Sequence, residues 1–228
     1  MIYNKPKKIL GVGDIHFFNS KRFDEHRHVL NNFYSLLDVE KPDLILIGGD
    51  VVDSKLRLSP EQIEMCRDFL MNLANTCPVI MIPGNHDVNL QNKERLDSLT
   101  PFVNSLINEV TYPIHYLKNS GLYNIYDVTW AVWSCIDNQQ NPFELSKTFQ
   151  KKNGQTVFGM YHGVVKGAST DDGMFLSGGV DTEEFKECDL VMLSDIHRCQ
   201  KVGKDYEELE IDKNQLEIYL KEGWDVVP

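Results

Sequence analysis

Residues 43–53 read DLILIGGDVVD, a short apolar run followed at once by two glycines and two aspartates. Four other apolar runs end in a similar way, at residues 13–16 (GDIH), 84–87 (GNHD), 162–163 (HG) and 194–197 (SDIH). Short apolar runs predict buried strands, and their alternation with helical patterns predicts an α/β core. Ligand sites in open α/β sheets gather at the carboxyl ends of strands. We therefore expect one ligand site built from these five strand ends.

Three helices are predicted between the first strands, over residues 21–40, 59–75 and 93–108. The second has the clearest start, because Ser59 can cap the first turn and Gln62 completes a capping box. From residue 115 to residue 136 the pattern becomes that of β-structure, and further strands are expected at 157–161 and 189–193. The glycines beside the polar strand ends permit tight turns and a close approach of the backbone to a ligand.

The composition favours one domain and limits the class of protein. The chain has 228 residues, 42% of them hydrophobic, which excludes a disordered chain. No window approaches the roughly 18 apolar residues of a membrane span, and the N-terminal residues lack the apolar run of a signal peptide. The five cysteines, an odd number without a C-x-x-C pair, are typical of reduced thiols. We expect a cytoplasmic location, which is the host cytoplasm if the chain is phage-encoded.

The net charge of −11 disfavours non-specific binding to nucleic acid by the chain alone. Such binding would need bound cations, a local basic patch or a basic partner. The strand ends supply the chemistry for the first of these, because imidazole suits Mn, Fe and Zn while carboxylate and amide oxygens suit hard divalent ions. Eight candidate ligands or acids are too many for one ion and match two ions about 3.5–4 Å apart that share a carboxylate, an arrangement used in phosphoester hydrolysis. The eight are Asp14, His16, Asp50, Asn85, His86, His162, Asp195 and His197.

The motifs GDIH, GGDVVD, GNHD, YHG and DIH, in that order, resemble the five signature motifs of the calcineurin-like metallophosphoesterases. Within this superfamily, the stretches GGDVVDSKLRLSPEQI and YHGVVKGASTDDG are most similar to the nuclease subunit of SbcCD-type repair complexes, especially phage-encoded ones. The resemblance implies a four-layer α-β-β-α sandwich of two mixed β-sheets flanked by helices. We expect a catalytic domain over residues 1–200 and a short acidic extension over 201–228. Here the chain departs from the repair nucleases, which continue into a DNA-gripping capping domain for which this extension is too short.

The resemblance implies a role for each site residue. The first metal would be held by Asp14, His16 and His197, with Asp50 as the bridge and with Asn85, His162 and Asp195 on the second metal. A metal-activated hydroxide would attack the phosphodiester, and His86 would stabilise the transition state or protonate the leaving oxygen. Asp53 and Asp87 would accept loop N–H groups or brace a ligating imidazole.

The fifth motif departs from the family pattern, which usually has Gly-His-x-His where this chain has Ser194-Asp195-Ile196-His197. The added carboxylate of Asp195 favours Mn²⁺ over Zn²⁺, and the alternatives to Mn²⁺ are Fe, Mg and Zn. For Asp195 the alternative is a carboxylate that only orients a histidine.

The function favoured by these residues is a Mn-dependent nuclease subunit for DNA recombination or repair, working with an SbcC-type ATPase. The apolar faces of the helices over residues 59–75 and 93–108 are first interpreted as part of the core. In the repair nucleases that the chain resembles, the corresponding helices build a homodimer, so a homodimer is the second interpretation. A phosphatase or small-molecule phosphodiesterase of the same superfamily is the first alternative function. The second is a catalytically weak scaffold that keeps the fold as a binding module.

Overall fold

The computed structural model describes residues 5–18, 23–92, 94–137, 149–170, 172–197, 200 and 202. A strand predicted at 208–211 and a helix predicted at 215–221 lie outside these residues. The same holds for residues 21–22 of the first predicted helix and for nearly all of the 201–228 extension. The division into a catalytic domain and an extension therefore stays a prediction.

A four-stranded parallel sheet forms the first half of the fold, in the order β1-β2-β3-β4. Three helices connect its strands, and each connection is a crossover between parallel neighbours. The strands are β1 (Ile9–Val12), β2 (Leu44–Ile47), β3 (Val79–Met81) and β4 (Ile114–Tyr116), and the helices are α1 (Phe23–Glu40), α2 (Pro60–Thr76) and α3 (Leu99–Leu106).

Helix α2 begins where its local sequence predicts. The Ser59 hydroxyl accepts the N–H of Gln62 at 3.3 Å, and the Gln62 side chain accepts the N–H of Ser59 at 2.8 Å. The capping box predicted from the sequence is therefore confirmed. The amide of Gln62 also donates to the carbonyl of Phe17 at 2.6 Å, which ties the start of α2 to the loop after β1.

Helix α3 is shorter than the helix predicted over 93–108, because it begins only at Leu99. The buried carboxylate of Asp97 accepts the N–H groups of Leu99 at 3.0 Å and of Thr100 at 2.7 Å. A side chain that satisfies these first N–H groups starts the helix at that point. Leu96, which the longer helix placed on the apolar face, is 60% exposed.

A second, mixed sheet has the order β5-β6-β7-β8. Strands β5 and β6 are antiparallel, whereas β6, β7 and β8 are parallel to one another. The strands are β5 (Gly121–Ile125), β6 (Val128–Trp133), β7 (Val157–His162) and β8 (Leu190–Ser194). The β-structure predicted after residue 115 and the two later strands are confirmed within a few residues at each end.

Strand β2 shows why the two sheets stack. All four of its residues are buried, and alternate residues belong to different cores. Leu44 and Leu46 pack in the cluster that contains Trp130 of the second sheet, whereas Ile45 and Ile47 pack in the cluster formed with the helices. Because successive side chains of a strand point to opposite faces, β2 lies between helices on one side and the second sheet on the other.

The predicted sandwich of two sheets with flanking layers is confirmed, but only the second sheet is mixed, because the described strands of the first sheet are all parallel. Its helices α1, α2 and α3 cover the first sheet, and the outer face of the second sheet packs on Phe185 of a 3₁₀ helix, Thr182–Phe185. Within the described residues this fourth layer is thin, because it consists of that short helix and loops. No described helix combines the length and apolar character that crossing a bilayer requires.

Candidate metal centre

The polar residues at the ends of five strands come together across the two sheets. Asp14 follows β1 in the first sheet and Asp195 follows β8 in the second. The N–H of Asp195 lies 3.2 Å from each carboxylate oxygen of Asp14, which joins the two strand ends directly. His162, the last residue of β7, has its Nδ1 atom 2.8 Å from the carbonyl oxygen of Gly48, which accepts. The site therefore spans the seam between the sheets.

Four site residues have backbone φ angles in the left-handed region, which residues other than glycine rarely adopt. Their φ angles are 52° for Asp14, 46° for His16, 51° for Asp50 and 83° for Asp195. Such conformations cost about 1–3 kcal/mol each and persist where the surroundings impose them. Here the N–H of Asp14 donates to Gly49 O at 3.0 Å and the N–H of His16 donates to Asp50 O at 2.9 Å. Backbone strain is thus concentrated at the side chains that converge.

Asp50 lies at the middle of this cluster and is almost completely buried. Its Oδ2 atom lies 3.6 Å from His16 Nε2 and 3.3 Å from His162 Nε2. Its Oδ1 accepts the main-chain N–H of His86 at 2.8 Å. Both histidine Nε2 atoms are buried without a hydrogen-bond partner among the described residues. Buried polar atoms normally have a partner, so two such atoms facing one carboxylate fit a site for cations.

The ligand atoms of the cluster are close enough to hold more than one ion. Three overlapping sets have their atoms within 4.8 Å of one another: Asp14, His16 and His197; His16, Asp50 and His86; and Asp14, Asp50 and His162. Asn85 and Asp195 extend the cluster, because Asn85 Nδ2 donates to Asp195 Oδ1 at 3.1 Å. Asp195 Oδ1 in turn lies 3.7 Å from His162 Nε2. All eight residues that the sequence selected are therefore contiguous in space.

Burial and neighbouring charges shift the pKa values of these groups. Burial raises the pKa of the Asp14 carboxyl and lowers the pKa of the His16 imidazole. Burial would also lower the pKa of His162, but the adjacent Asp50 carboxylate outweighs it and raises that pKa to about 9. The same interaction, against the effect of burial, holds the pKa of Asp50 below its ordinary value. The carboxylates at the centre therefore attract positive charge.

His86 is oriented by the main chain. Its Nδ1 atom lies 2.6 Å from the carbonyl oxygen of Asp53, which can only accept, so Nδ1 carries the proton. Its ring meets that of His16 edge-on, with 4.8 Å between the centroids. Asp53 therefore orients the imidazole of His86 through its backbone carbonyl oxygen. The Nε2 atom of His86 is left for chemistry at the site.

Asp87 has no exposed surface and accepts four main-chain N–H groups. They belong to Asp50 at 2.8 Å, Gly84 at 2.9 Å, and Val51 and Val52 at 3.1 Å each. Burial raises the pKa of Asp87 to about 7, and the hydrogen bonds from Gly84 and Val52 oppose the shift. Asp87 therefore fastens the loop after β3 to the loop that presents Asp50.

Two contacts at the site were not predicted from the sequence. The ammonium group of Lys55 donates to the carbonyl of Asn85 at 2.8 Å, although nothing distinguishes this lysine in its polar stretch. A Cβ on Gly84 would lie 2.1 Å from Asp50 Oδ1, so this glycine is needed for the approach of a carboxylate. The glycines beside the strand ends were expected to permit a close approach of the backbone to a ligand, whereas Gly84 permits the approach of the Asp50 carboxylate.

Comparison with known proteins gives one family and several relatives. The family model described as calcineurin-like phosphoesterase matches residues 7–207. A protein of Acanthamoeba polyphaga mimivirus, "Uncharacterized protein R555", is 36% identical over 207 residues, which are 87% of this chain and 15% of that protein. The "DNA double-strand break repair protein Mre11" of Nanoarchaeum equitans is 30% identical over 151 residues, which are 62% of this chain and 41% of that protein.

The SbcD component of the nuclease SbcCD of Staphylococcus epidermidis is 28% identical over 145 residues, which are 61% of this chain and 32% of that protein. The chain spans less than half the length of each of these three relatives. The resemblance inferred from the motifs is confirmed by these matches. Since the family model covers most of the chain, the chain belongs to the calcineurin-like phosphoesterase family, and the predicted class of metal-dependent phosphoester hydrolase is confirmed at the level of that family.

Proposed function

We propose that this chain is a Mn²⁺-dependent two-metal phosphodiesterase that cleaves DNA. The observation that supports this best is the position of Asp50 between two imidazoles. The Nε2 atoms of His16 and His162 lie 3.6 and 3.3 Å from Asp50 Oδ2, and both are buried without a hydrogen-bond partner among the described residues. A carboxylate flanked by two such nitrogens is suited to bridge two cations.

The proposed ligands divide into two sets around Asp50. One ion would be held by Asp14, His16 and His197, and the other by Asn85, His162 and Asp195. The carboxylate of Asp195 adds an oxygen ligand where the family usually has a histidine, which favours Mn²⁺ over Zn²⁺. Bound ions would supply Lewis-acid stabilisation of the phosphate and a water of lowered pKa.

His86 is proposed to act on the leaving group instead of holding an ion. Its Nδ1–H is committed to the carbonyl of Asp53 at 2.6 Å, so the ring is fixed in one orientation. A protonated Nε2 can then donate a hydrogen bond to a phosphate oxygen or a proton to the leaving oxygen. A variant of His86 should therefore lose activity but keep both ions.

DNA is the proposed substrate because two of the relatives are described as a nuclease and a DNA double-strand break repair protein. The net charge of −11 opposes binding to DNA, and two divalent ions would reverse this locally. The same proposal has three further parts. The chain takes part in recombination or repair, it works with an SbcC-type ATPase that supplies further DNA affinity, and it forms a homodimer through its helices.

The test is cleavage of circular single-stranded DNA by the purified chain in Mn²⁺, beside His86→Gln and the control His28→Gln. His28 is an exposed residue of α1, outside the site. We expect wild type and His28→Gln to cut, a chelator to stop cutting, and His86→Gln to lose roughly 100-fold or more in rate. Absence of DNA cleavage together with His86-dependent hydrolysis of a simple phosphate ester would contradict the nuclease and support the phosphatase alternative.

A further inference from the structure

A groove of about 470 Å³ opens directly beside the candidate metal centre. Asp195 and His197 belong both to its lining and to the proposed ligand sets. Its other walls include three apolar side chains, Val164, Leu176 and Ile196. We call this space the flanking groove. Its volume falls in the range of pockets that hold small organic groups.

The wall that carries Leu176 is held in place by a network of main-chain hydrogen bonds. The N–H of Leu176 donates to Ala168 O at 2.7 Å, and its carbonyl accepts the N–H of Gly167 at 2.9 Å. Ser169 pairs with Phe175 in an antiparallel bridge and is bonded to Gln200 through both its N–H and its carbonyl. These bonds form a hairpin, residues 167–170 and 172–176, which bounds the groove and holds the backbone at Leu176 in place.

The chemistry of the lining indicates an uncharged occupant. None of the described lining residues is a lysine or an arginine. Thr170 donates its hydroxyl to Asp172, which puts a carboxylate in the lining and disfavours an anion. Phosphate would thus stay at the metal centre, and the groove would take a neutral, largely apolar group attached to it.

A phosphodiester held at the metal centre must direct one of its two ester substituents along the adjoining surface. We propose that the flanking groove binds the nucleoside on one side of the scissile phosphodiester, with the base against Val164, Leu176 and Ile196. The proposal rests on the phosphodiesterase function argued above and adds a subsite to it: these side chains would hold a nucleoside and so favour esters of nucleosides over esters of simple alcohols.

Three chromogenic phosphodiesters with the same leaving group test this proposal: thymidine 5′-(p-nitrophenyl phosphate), thymidine 3′-(p-nitrophenyl phosphate) and methyl p-nitrophenyl phosphate. We expect wild type in Mn²⁺ to hydrolyse one thymidine ester with a kcat/KM roughly tenfold or more above that of the methyl ester. Leu176→Ala should reduce this ratio by roughly tenfold. Met174→Ala is the matched control, since Met174 is 64% exposed on the same hairpin and does not line the groove, and its ratio should equal that of wild type.

The outcomes separate the groove from the catalytic function. Equal kcat/KM values for the three esters in wild type would overturn the proposed binding of a nucleoside in the flanking groove and leave the phosphodiesterase function intact. An equal fall of the ratio in Leu176→Ala and Met174→Ala would also overturn it, since the whole hairpin would then be responsible. Hydrolysis of none of the esters by a chain that cuts circular single-stranded DNA would overturn the groove alone, whereas failure on both kinds of substrate would overturn both proposals. The comparison of esters in wild type does not depend on the folding of any variant.

Discussion

The Oδ2 atom of Asp87 accepts the main-chain N–H of Asp50 at 2.8 Å, from a side chain with no exposed surface. The other oxygen accepts the N–H groups of Val51 and Val52 at 3.1 Å each. One buried carboxylate thus holds the backbone on which the proposed bridging residue stands, including its left-handed φ of 51°. Asp87 acts on the site through this backbone.

The first prediction concerns Asp87→Asn. The amide would turn an NH₂ group toward main-chain N–H donors and leave two or more of them unsatisfied. We expect a loss of about 2–4 kcal/mol in the free energy of unfolding, measured by urea titration. DNA cleavage should fall as well, because the position of Asp50 depends on these bonds.

Asp53→Asn is the matched control for Asp87→Asn. Asp53 orients His86 through its main-chain carbonyl, which the substitution retains. Its cleavage rate and unfolding free energy should stay close to those of wild type. If Asp53→Asn lost as much stability as Asp87→Asn, the assignment of the supporting role to four N–H bonds of Asp87 would be wrong.

The second prediction concerns Gly84→Ala. The new Cβ would lie 2.1 Å from Asp50 Oδ1 and 2.3 Å from Asp50 N, and the second of these is backbone that cannot move aside cheaply. We expect cleavage to fall by roughly 100-fold or more, since a displacement of about 1 Å at a reacting centre has that effect. Gly178→Ala is the control, because a Cβ there meets nothing within 4 Å. Similar rates for Gly84→Ala and wild type would show that the close approach to Asp50 is unimportant.

The third prediction links metal binding to stability. A cation that binds only the folded chain stabilises it by about 2.7 kcal/mol at a concentration 100 times its Kd. We expect Mn²⁺ to raise the Tm of wild type by several degrees, as measured by calorimetry. The rise should be smaller in His162→Gln, which removes one of the two partnerless nitrogens, and unchanged in His28→Gln. Equal rises in all three proteins would mean that Mn²⁺ binds elsewhere.

The fourth prediction concerns the buried carboxylate of Asp97. It accepts the Lys118 ammonium at 2.7 Å and the hydroxyl of Tyr116 at 3.1 Å, in addition to the N–H groups that start α3. Burial would raise the pKa of Asp97, but the bonds from Lys118 and Thr100 outweigh it and hold that pKa below its ordinary value. The stabilisation is therefore present above the unfolded pKa, about 3.9, and is lost as the pH falls through the lower folded value.

Asp97→Asn tests this sign directly. We expect the variant to be about 2 kcal/mol less stable than wild type at pH 7 by urea unfolding. The difference should shrink as the pH falls below about 4, where wild type loses the charge. A difference that grew on acidification would contradict a depressed pKa.

The sequence predicted the start of helix α2 correctly and the start of helix α3 wrongly. The start of α2 was predictable because Ser59 and Gln62 bond to each other across three residues. The start of α3 was missed, although Asp97 accepts the N–H groups of Leu99 and Thr100 two and three residues along the chain, because the apolar spacing that includes Leu96 predicted a longer helix. The four-layer sandwich was implied by the family resemblance, and the fully buried strand β2 shows why it forms, since such a strand needs cover on both faces.

The members of the site were predictable for a related reason. Five apolar strands end in polar residues, and parallel strand ends meet at one edge. What no pattern indicates is how they are held: the left-handed φ of Asp14, His16 and Asp50 is a property of tertiary hydrogen bonds. The bond from Lys55 to Asn85 likewise joins residues thirty positions apart.

Asp50 is proposed to bridge two cations. The most direct measurement is a crystal structure grown in Mn²⁺, with an anomalous difference map collected near the manganese absorption edge. We expect two peaks about 3.5–4 Å apart on either side of the Asp50 carboxylate, one beside His16 and His197 and the other beside Asn85 and His162. A single peak, or peaks away from Asp50, at saturating Mn²⁺ would contradict the two-metal centre.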